Sequence, residues 1–190
     1  MGAPQELSGL AASPRTAAAR RALEIAAGAL VVALAAQVVA PVPFSPVPMT
    51  LQPLAVLAVG GVLGATGGLA ALITYLTLGI LGLPVFAGGA SGVAHLLGPT
   101  GGYLLAFPVA AAVVGALAGR SASVLRVLLA CAVGMVVIHV GGVAQLALLG
   151  GDPAMAFRVG FVPFLTGDLL KTGLAAAVIL GLRPLGRGAN

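Results

Sequence analysis

Long apolar runs, separated by short segments rich in Pro and Gly, dominate the pattern of hydrophobic and polar positions. The region 25–119 contains no Asp, Glu, Lys or Arg, which leaves room for several membrane crossings of about 20 residues each. Only helices or a closed barrel can cross lipid, because every backbone polar group must be hydrogen-bonded internally. The two-residue alternation of barrel strands is absent, and Ala, Leu and Gly dominate. The pattern therefore predicts an all-α integral membrane protein.

Breaks in the apolar pattern divide the chain into a bundle of six transmembrane helices. The expected helices are at about 17–39, 49–63, 69–82, 103–118, 127–149 and 162–182. The Pro-rich segment 40–48 cannot continue a helix and is predicted as an extended loop. The turn 64–68 separates helices two and three. Residues 1–14 are expected to be a disordered tail, and 15–187 a single transmembrane domain.

The segment 83–102, between the third and fourth helices, is long, Gly-rich and uncharged. A loop as apolar as this is not expected to be fully solvated. We therefore predict that it folds back against the bundle as a capping or re-entrant element.

Composition agrees with a membrane protein and narrows its chemistry. The chain is 60% hydrophobic and 7% charged, against about 25% charged residues in soluble domains. Its net charge of +5 would suggest nucleic acid in a soluble protein, but here the arginines flank apolar spans, so no nucleic-acid partner is expected. The single cysteine, Cys131, excludes an internal disulfide and a multi-cysteine metal site. Neither a cofactor nor a metal is predicted.

The arginines are distributed unequally between the two predicted faces of the membrane. The loops of one face carry only Arg158, with Asp152 beside it. The termini and the turn between helices four and five carry Arg15, Arg20, Arg21, Arg120, Arg126, Arg183 and Arg187. Positively charged loops stay in the cytoplasm. Both termini are therefore expected there, with the Pro-rich loop, the Gly-rich segment and 150–158 facing outward.

Asp168 and Lys171 lie inside the last apolar run, three residues apart and so on one helical face. A charge in hydrocarbon costs about 2.5–3.5 kcal/mol on insertion scales, so such residues usually face a cavity or a ligand. A purely structural ion pair is the alternative, but buried ion pairs seldom stabilise more than apolar residues would. Side by side, an acceptor and a donor suit a small molecule that offers N–H groups next to a carbonyl.

Thr50 and Gln52 follow the Pro-rich loop, which would hold them at the mouth of a site. Ordinary capping by Thr50, with Gln52 in water, explains them equally well. Three aromatic residues, Phe44, Phe86 and Tyr103, could line an apolar pocket, although interfacial anchoring or core packing accounts for each one separately.

Gly88 and Gly89, beside Ser91, allow close approach of the backbone to a ligand. A phosphate loop is excluded because no Lys-Ser or Lys-Thr follows. His139, in the fifth helix, could be a further pocket residue or could hydrogen-bond a neighbouring helix.

The sequence GASG at 89–92, with His139 downstream, superficially resembles the Ser–His dyad of rhomboid intramembrane proteases. The His and Asn that rhomboids carry on an earlier helix to stabilise the oxyanion are missing. Proteolysis is thus kept only as an alternative function.

Three segments together resemble a known family: PFSPVPMTLQ at 43–52, GLPVFAGGASGVAHLLGPTGGY at 82–103 and PFLTGDLLK at 163–171. They resemble BioY, the biotin-specific substrate-binding (S) component of energy-coupling factor (ECF) transporters. The resemblance spans about 17–182. It implies a six-helix protein in the prokaryotic cytoplasmic membrane that captures biotin at its outer side. Uptake would be driven by a coupling membrane subunit and a pair of ATPases.

The resemblance also implies roles for individual residues. The family's acidic and basic pair matches Asp168 and Lys171, which would bind the N–H groups and the carbonyl of biotin's ureido ring. Its Pro-rich motif matches Thr50 and Gln52. The partner of the biotin carboxylate stays open among the backbone N–H groups of the Gly-rich segment and the side chains of Tyr103, His95 and Arg158.

The chain has no Walker motif, so active transport would depend on the ATPases of its partners. Small residues four apart along the first helix permit close helix contact and mark a possible docking surface for the coupling subunit. They are Ala22, Ala26, Ala29 and Ala33. A stand-alone carrier of another small solute is the remaining alternative.

Overall fold

The computed structural model describes residues 14–120 and 123–182. The predicted tail lies outside this part of the chain except for its last residue, Pro14, which begins the first helix. Arg183 and Arg187 also lie outside it.

The described residues form an almost entirely helical bundle, which confirms the all-α prediction in its coarse form. Seven helices follow one another: α1 Pro14–Ala35, α2 Gln52–Ile80, α3 Val93–Leu97, α4 Gly101–Ala118, α5 Val124–Gly150, α6 Pro153–Gly160 and α7 Leu165–Leu182. Two single 3-10 turns lie at Ala87–Gly89 and Val162–Phe164. The Pro-rich loop was predicted without strands, but it is closed by a short antiparallel ladder in which Val39 pairs with Thr50 and Ala40 with Met49.

The α2 segment is a helical hairpin, although its hydrogen-bonding pattern is continuous. Gly64 has a non-helical backbone with φ 74°, a conformation that glycine adopts without steric cost. The Gln52 amide Nε2 lies 2.7 Å from the Tyr75 hydroxyl, whereas a straight helix would separate residues this far apart in sequence by ~35 Å. The chain therefore reverses at Gly64 and forms two arms, 52–63 and 65–80. This reversal is the predicted turn between the second and third helices.

Glycines let the α2 hairpin and α4 approach each other at backbone distance. A Cβ atom at Gly60 would overlap the backbone of Ala111, and one at Gly115 would overlap the backbone of Gly64 and Ala65. Small residues at helix crossings provide this close packing in membrane bundles. In the sequence, this close packing is indicated by the many glycines within otherwise regular apolar helices.

One end of the bundle holds the Gly64 turn and the junction between α4 and α5. There the Arg21 guanidinium donates to the Leu63 carbonyl at 3.1 Å, and Arg126 Nε donates to the Leu117 carbonyl at 2.7 Å. The predicted basic face thus corresponds to one physical end of the described bundle.

The opposite end gathers the Pro-rich loop, the Gly-rich segment and α6. Ser45 Oγ donates to the Val159 carbonyl at 2.8 Å and so links the Pro-rich loop to α6. The amide of Gln145, on α5, donates to the carbonyls of Leu96 at 2.9 Å and Gly98 at 2.6 Å. The Gly-rich segment is consequently held against α5 by side-chain hydrogen bonds.

Four helical stretches of the described chain are long and apolar enough to cross a membrane: Gln52–Ile80, Gly101–Ala118, Val124–Gly150 and Pro153–Leu182. Large apolar side chains such as Leu148 and Leu169 project from the outside of these helices. An apolar exterior of this extent indicates a lipid environment, which agrees with a multi-pass membrane protein.

The four alanines of α1 do not form one exposed face. Ala22 and Ala26 are exposed, but Ala29 is buried and Ala33 packs against the core. The neighbouring Gly28 faces Val59 and Ala71 of the α2 hairpin. The structure therefore does not support a docking surface formed by all four alanines together, because α1 packs against the rest of the bundle through Ala29 and Ala33.

Candidate functional site

A cavity opens at the end of the bundle that carries the Pro-rich loop. The space between its wall atoms, together with the open space at its mouth, is about 550 Å³. Apolar side chains of α4, α5 and the 3-10 turn before α7, among them Phe107, Ile138 and Phe164, form much of its wall. The polar side chains on the wall are Thr50, Gln52, His95, Thr100, Tyr103, His139, Asp168 and Lys171.

Asp168 and Lys171 face this cavity from the first two turns of α7. Lys171 Nζ donates to Asp168 Oδ1 at 3.0 Å, and both residues are 6% exposed. Asp168 benefits from its place near the N-terminus of α7, where the helix dipole favours a negative charge. The two residues therefore lie on one helical face, where they form an ion pair.

His139 completes this buried cluster from α5. Its Nε2 lies 2.6 Å from Asp168 Oδ2, so each oxygen of the carboxylate has one partner. His139 lines the cavity and also contacts a neighbouring helix, and its role in ligand binding stays a prediction. The sequence did not identify Asp168 as its partner, because the two residues meet only when α5 packs on α7.

Thr50 and Gln52 belong to a second polar network in the cavity wall. The Thr50 hydroxyl donates to Gln52 Oε1 at 3.0 Å, and Gln52 Nε2 donates to the Tyr75 hydroxyl at 2.7 Å. Thr50 also accepts from the Gln52 backbone N–H at 3.2 Å. Tyr75 was absent from the predicted site. The feature of the sequence that could have identified Tyr75 is its position within an apolar run, because a buried tyrosine hydroxyl needs a hydrogen-bond partner.

The three predicted aromatic residues occupy different environments. Tyr103 lines the cavity, and its hydroxyl donates to the Gly160 carbonyl at 2.6 Å. Phe86 is fully buried behind the wall, where it contacts the Tyr75 ring and stacks on His95. Phe44 is 97% exposed at the tip of the Pro-rich loop. Only Tyr103 of the three contributes directly to the cavity wall.

The Gly-rich segment reaches the cavity through residues other than the predicted ones. Ala87, His95 and Thr100 line the wall, whereas Gly88, Gly89 and Ser91 are exposed and lie outside it. His95 and Thr100 are in hydrogen-bonding contact at 3.2 Å. Partial burial lowers the pKa of His95 below its usual value, so that its neutral form is favoured. Arg158 is exposed and also lies outside the wall.

The geometry does not provide the catalytic dyad of a serine protease. Ser91 is exposed outside the cavity, and His139 Nε2 is engaged by Asp168. A nucleophilic serine requires hydrogen-bond reach of its base. The alternative based on the GASG sequence is therefore contradicted.

A bundle of apolar helices that buries an acid and a base beside a cavity defines an integral membrane protein with a small-molecule binding site. The BioY family model matches residues 8–187. The chain therefore belongs to the BioY family.

Curated relatives and a solved structure agree with this assignment. A biotin transporter BioY of Thermotoga maritima is 42% identical over 76% of this chain and 85% of its own. A probable biotin transporter BioY of Pyrococcus horikoshii is 41% identical over 86% of this chain and 96% of its own. The crystal structure of the S-component for biotin from an ECF-type ABC transporter superposes with a TM-score of 0.82. Its sequence is 25% identical, and the match covers 90% of this chain and 94% of that one.

Proposed function

We propose that this protein is the biotin-binding S component of an ECF transporter and takes part in biotin uptake. The observation that carries the proposal is the buried pair of Asp168 and Lys171, which presents an acceptor beside a donor on the wall of a cavity. The relatives named as biotin transporters and the fold of a biotin S-component support the same ligand.

Biotin's ureido ring has N–H donors on either side of a carbonyl acceptor, which matches the chemistry of the pair. Asp168 accepts from a ureido N–H, and Lys171 donates to the ureido carbonyl. Each bond is assisted by charge and shielded from water, which strengthens it. The thioether ring packs against apolar wall residues such as Phe107 and Phe164. Thr50 and Gln52 shape the wall beside it.

The carboxylate of biotin then extends towards the mouth of the cavity. Of the donors considered from the sequence, His95 and Tyr103 line the wall, but the Tyr103 hydroxyl is already bound to Gly160. His95, with its neighbour Thr100, is the better placed partner. The remaining predicted residues would affect biotin binding only through the shape of the loops that cover the cavity. They are Gly88, Gly89, Ser91, Phe44 and Phe86.

Six membrane crossings fit the helices: α1, the two arms of α2, α4, α5 and α7. Among the described residues, Arg15, Arg20, Arg21, Arg120 and Arg126 belong to the end that carries the Gly64 turn, which supports a cytoplasmic location for that end and for both termini. The cavity then faces outward, with the Gly-rich segment as a cap over it.

Uptake is energised by a coupling membrane subunit and an ATPase pair, since no Walker motif is present. The exposed part of the α1 stripe, Ala22 and Ala26, remains available for contact with the coupling subunit.

Binding of radiolabelled biotin to the purified protein in mild detergent tests the ligand. We expect tight binding by the natural sequence, and losses of about 10- to 150-fold in Asp168→Asn, which removes the charge that strengthens one bond, and in Lys171→Met, which removes the donor of the other. Asp152→Asn is the matched control, since Asp152 is exposed and caps α6. Unaltered affinity in both cavity variants, with their unfolding temperatures preserved, would remove the pair from the site.

Copurification identifies the energising partners. The proposal expects a coupling subunit and ATPases to accompany the protein from its native membrane. ATP-independent biotin uptake by vesicles that contain this chain alone would instead favour a stand-alone carrier.

A further inference from the structure

We propose that His139 is a positioning residue that holds Asp168 by one oxygen and leaves the other for the ligand. The inference rests on the proposed function, because the ligand group concerned is the ureido N–H. The His139 Nε2 contact to Asp168 Oδ2 is 2.6 Å long, and the two side chains are 9% and 8% exposed. It is therefore a short polar contact in the buried wall of the cavity.

The contact with Asp168 determines which nitrogen of the imidazole ring is the donor. An ionised carboxylate only accepts hydrogen bonds, so Nε2 carries the hydrogen that Asp168 receives. The other nitrogen, His139 Nδ1, is buried and has no hydrogen-bond partner among the described residues. The contact therefore requires a ring form that carries a hydrogen on Nε2.

Aromatic side chains fix the plane of this ring. Tyr103 and Phe161 meet the imidazole edge to face, with centroid distances of 6.0 Å and 4.8 Å, and Phe164 lies 6.3 Å away. The Tyr103 hydroxyl donates to Gly160 and is not available to Nδ1. The only charged side chains on the described cavity wall are Asp168 and Lys171 of α7. No competing charge on this wall draws His139 away from Asp168.

The two partners of Asp168 differ in stiffness. Lys171 reaches Oδ1 on a flexible four-carbon chain, whereas the packed imidazole keeps hold of Oδ2. A ligand that brings its own acceptor can therefore take Lys171 Nζ while Asp168 stays in place. Oδ1 is then free to accept one ligand N–H. The site selects a molecule that offers an N–H adjacent to a carbonyl, and rejects one that needs both carboxylate oxygens.

Two amide substitutions separate this role from simple packing. In His139→Gln the amide nitrogen lies near the original position of Nε2 and can still donate to Asp168. The shorter side chain of His139→Asn places its amide near Nδ1, out of reach. We expect biotin affinity within about 3-fold of the natural protein for His139→Gln and about 10- to 100-fold weaker for His139→Asn, from the loss of one hydrogen bond to a charged group. Equal affinity of the two variants would overturn the proposal.

A spectroscopic measurement on the natural protein needs neither biotin nor a variant of His139. The chain has two histidines, so ¹⁵N-histidine labelling gives two pairs of ring-nitrogen signals, which a His95→Gln variant assigns. We expect His139 to carry a hydrogen on Nε2 in the ligand-free protein. A signal from the ring form that is protonated on Nδ1 alone would overturn the inference. Failure of the natural protein to bind biotin would instead refute the proposed function, and this spectrum would still test whether His139 donates to Asp168 from Nε2.

Discussion

The Gln52 side chain donates a 2.7 Å hydrogen bond to the hydroxyl of Tyr75, although both residues belong to the same α2 segment. The bond connects the two arms of the helical hairpin across the buried wall of the cavity. It couples the packing of the hairpin to the orientation of Gln52 and, through Gln52 Oε1, of Thr50. The shape of the binding site therefore depends on a contact made deeper in the bundle.

Replacement of Tyr75 by Phe should destabilise the protein by about 1–3 kcal/mol, because Gln52 Nε2 would remain buried without an acceptor. The reduced stability is measurable as a lower unfolding temperature in detergent. Thr77→Val is the matched control, since Thr77 bonds only its own helix at the Ile73 carbonyl, at an exposed position. Equal unfolding temperatures for Tyr75→Phe and the control would show that the hairpin bond contributes no stability.

Biotin analogues should show how much the ureido carbonyl contributes to binding, separately from the rest of the ligand. In 2-iminobiotin a C=NH group replaces the carbonyl, and the group is cationic at neutral pH. Lys171 would then face a donor and a like charge, so we expect binding about 100-fold weaker than that of biotin, in the range of one lost charge-assisted bond plus repulsion. Competition against radiolabelled biotin measures the difference.

Desthiobiotin is the control ligand, because it keeps the ureido group and loses only the sulfur. The difference in affinity between biotin and 2-iminobiotin should be smaller for Lys171→Met than for the natural protein, because this variant removes the donor and the charge together. If the natural protein binds 2-iminobiotin and biotin with equal affinity, Lys171 does not contact the ureido carbonyl.

The orientation of the chain is testable by cysteine labelling in a Cys131→Ala background. Ser91 is exposed on the Gly-rich segment, and Ala17 is exposed near the beginning of α1. A membrane-impermeant maleimide should label Ser91→Cys in intact cells but leave Ala17→Cys unlabelled. Inside-out vesicles should give the reverse pattern. Labelling of Ala17→Cys in intact cells would place the N-terminus outside.

Several features of the fold follow directly from local sequence. Long apolar runs must form helices in lipid because their backbone groups have no other hydrogen-bond partners, and the six expected helices were located to within a few residues. The short helices α3 and α6 were not predicted, because they lie in segments that were expected to be loops. Prolines at 40–48 interrupt the helix because they lack the N–H and clash with the preceding turn. The exact form of the closing ladder, Val39–Ala40 against Met49–Thr50, depends on pairing between segments and was not predicted.

The candidate site was predictable where the signal is local. Asp168 and Lys171 are conspicuous because charge is costly in an apolar run, and their spacing alone places them on one face. Tyr75 and the aromatic wall residues Phe107 and Phe164 were missed. Apolar and aromatic residues occur throughout the chain, so the sequence does not show which of them line the cavity. Gly88, Gly89 and Ser91 were chosen for backbone freedom, which does not determine the direction in which a loop faces.

The sequence by itself determined the membrane setting, the helical architecture and the buried acid and base, because each depends on composition or on spacing within one segment. Tertiary structure decided which distant residues meet. The contact of His139 with Asp168 exists because α5 packs on α7, and the α1 alanines are divided between core and surface by the way α1 packs on α2. Such contacts arise from the shape of whole helices packed together, which no single segment encodes.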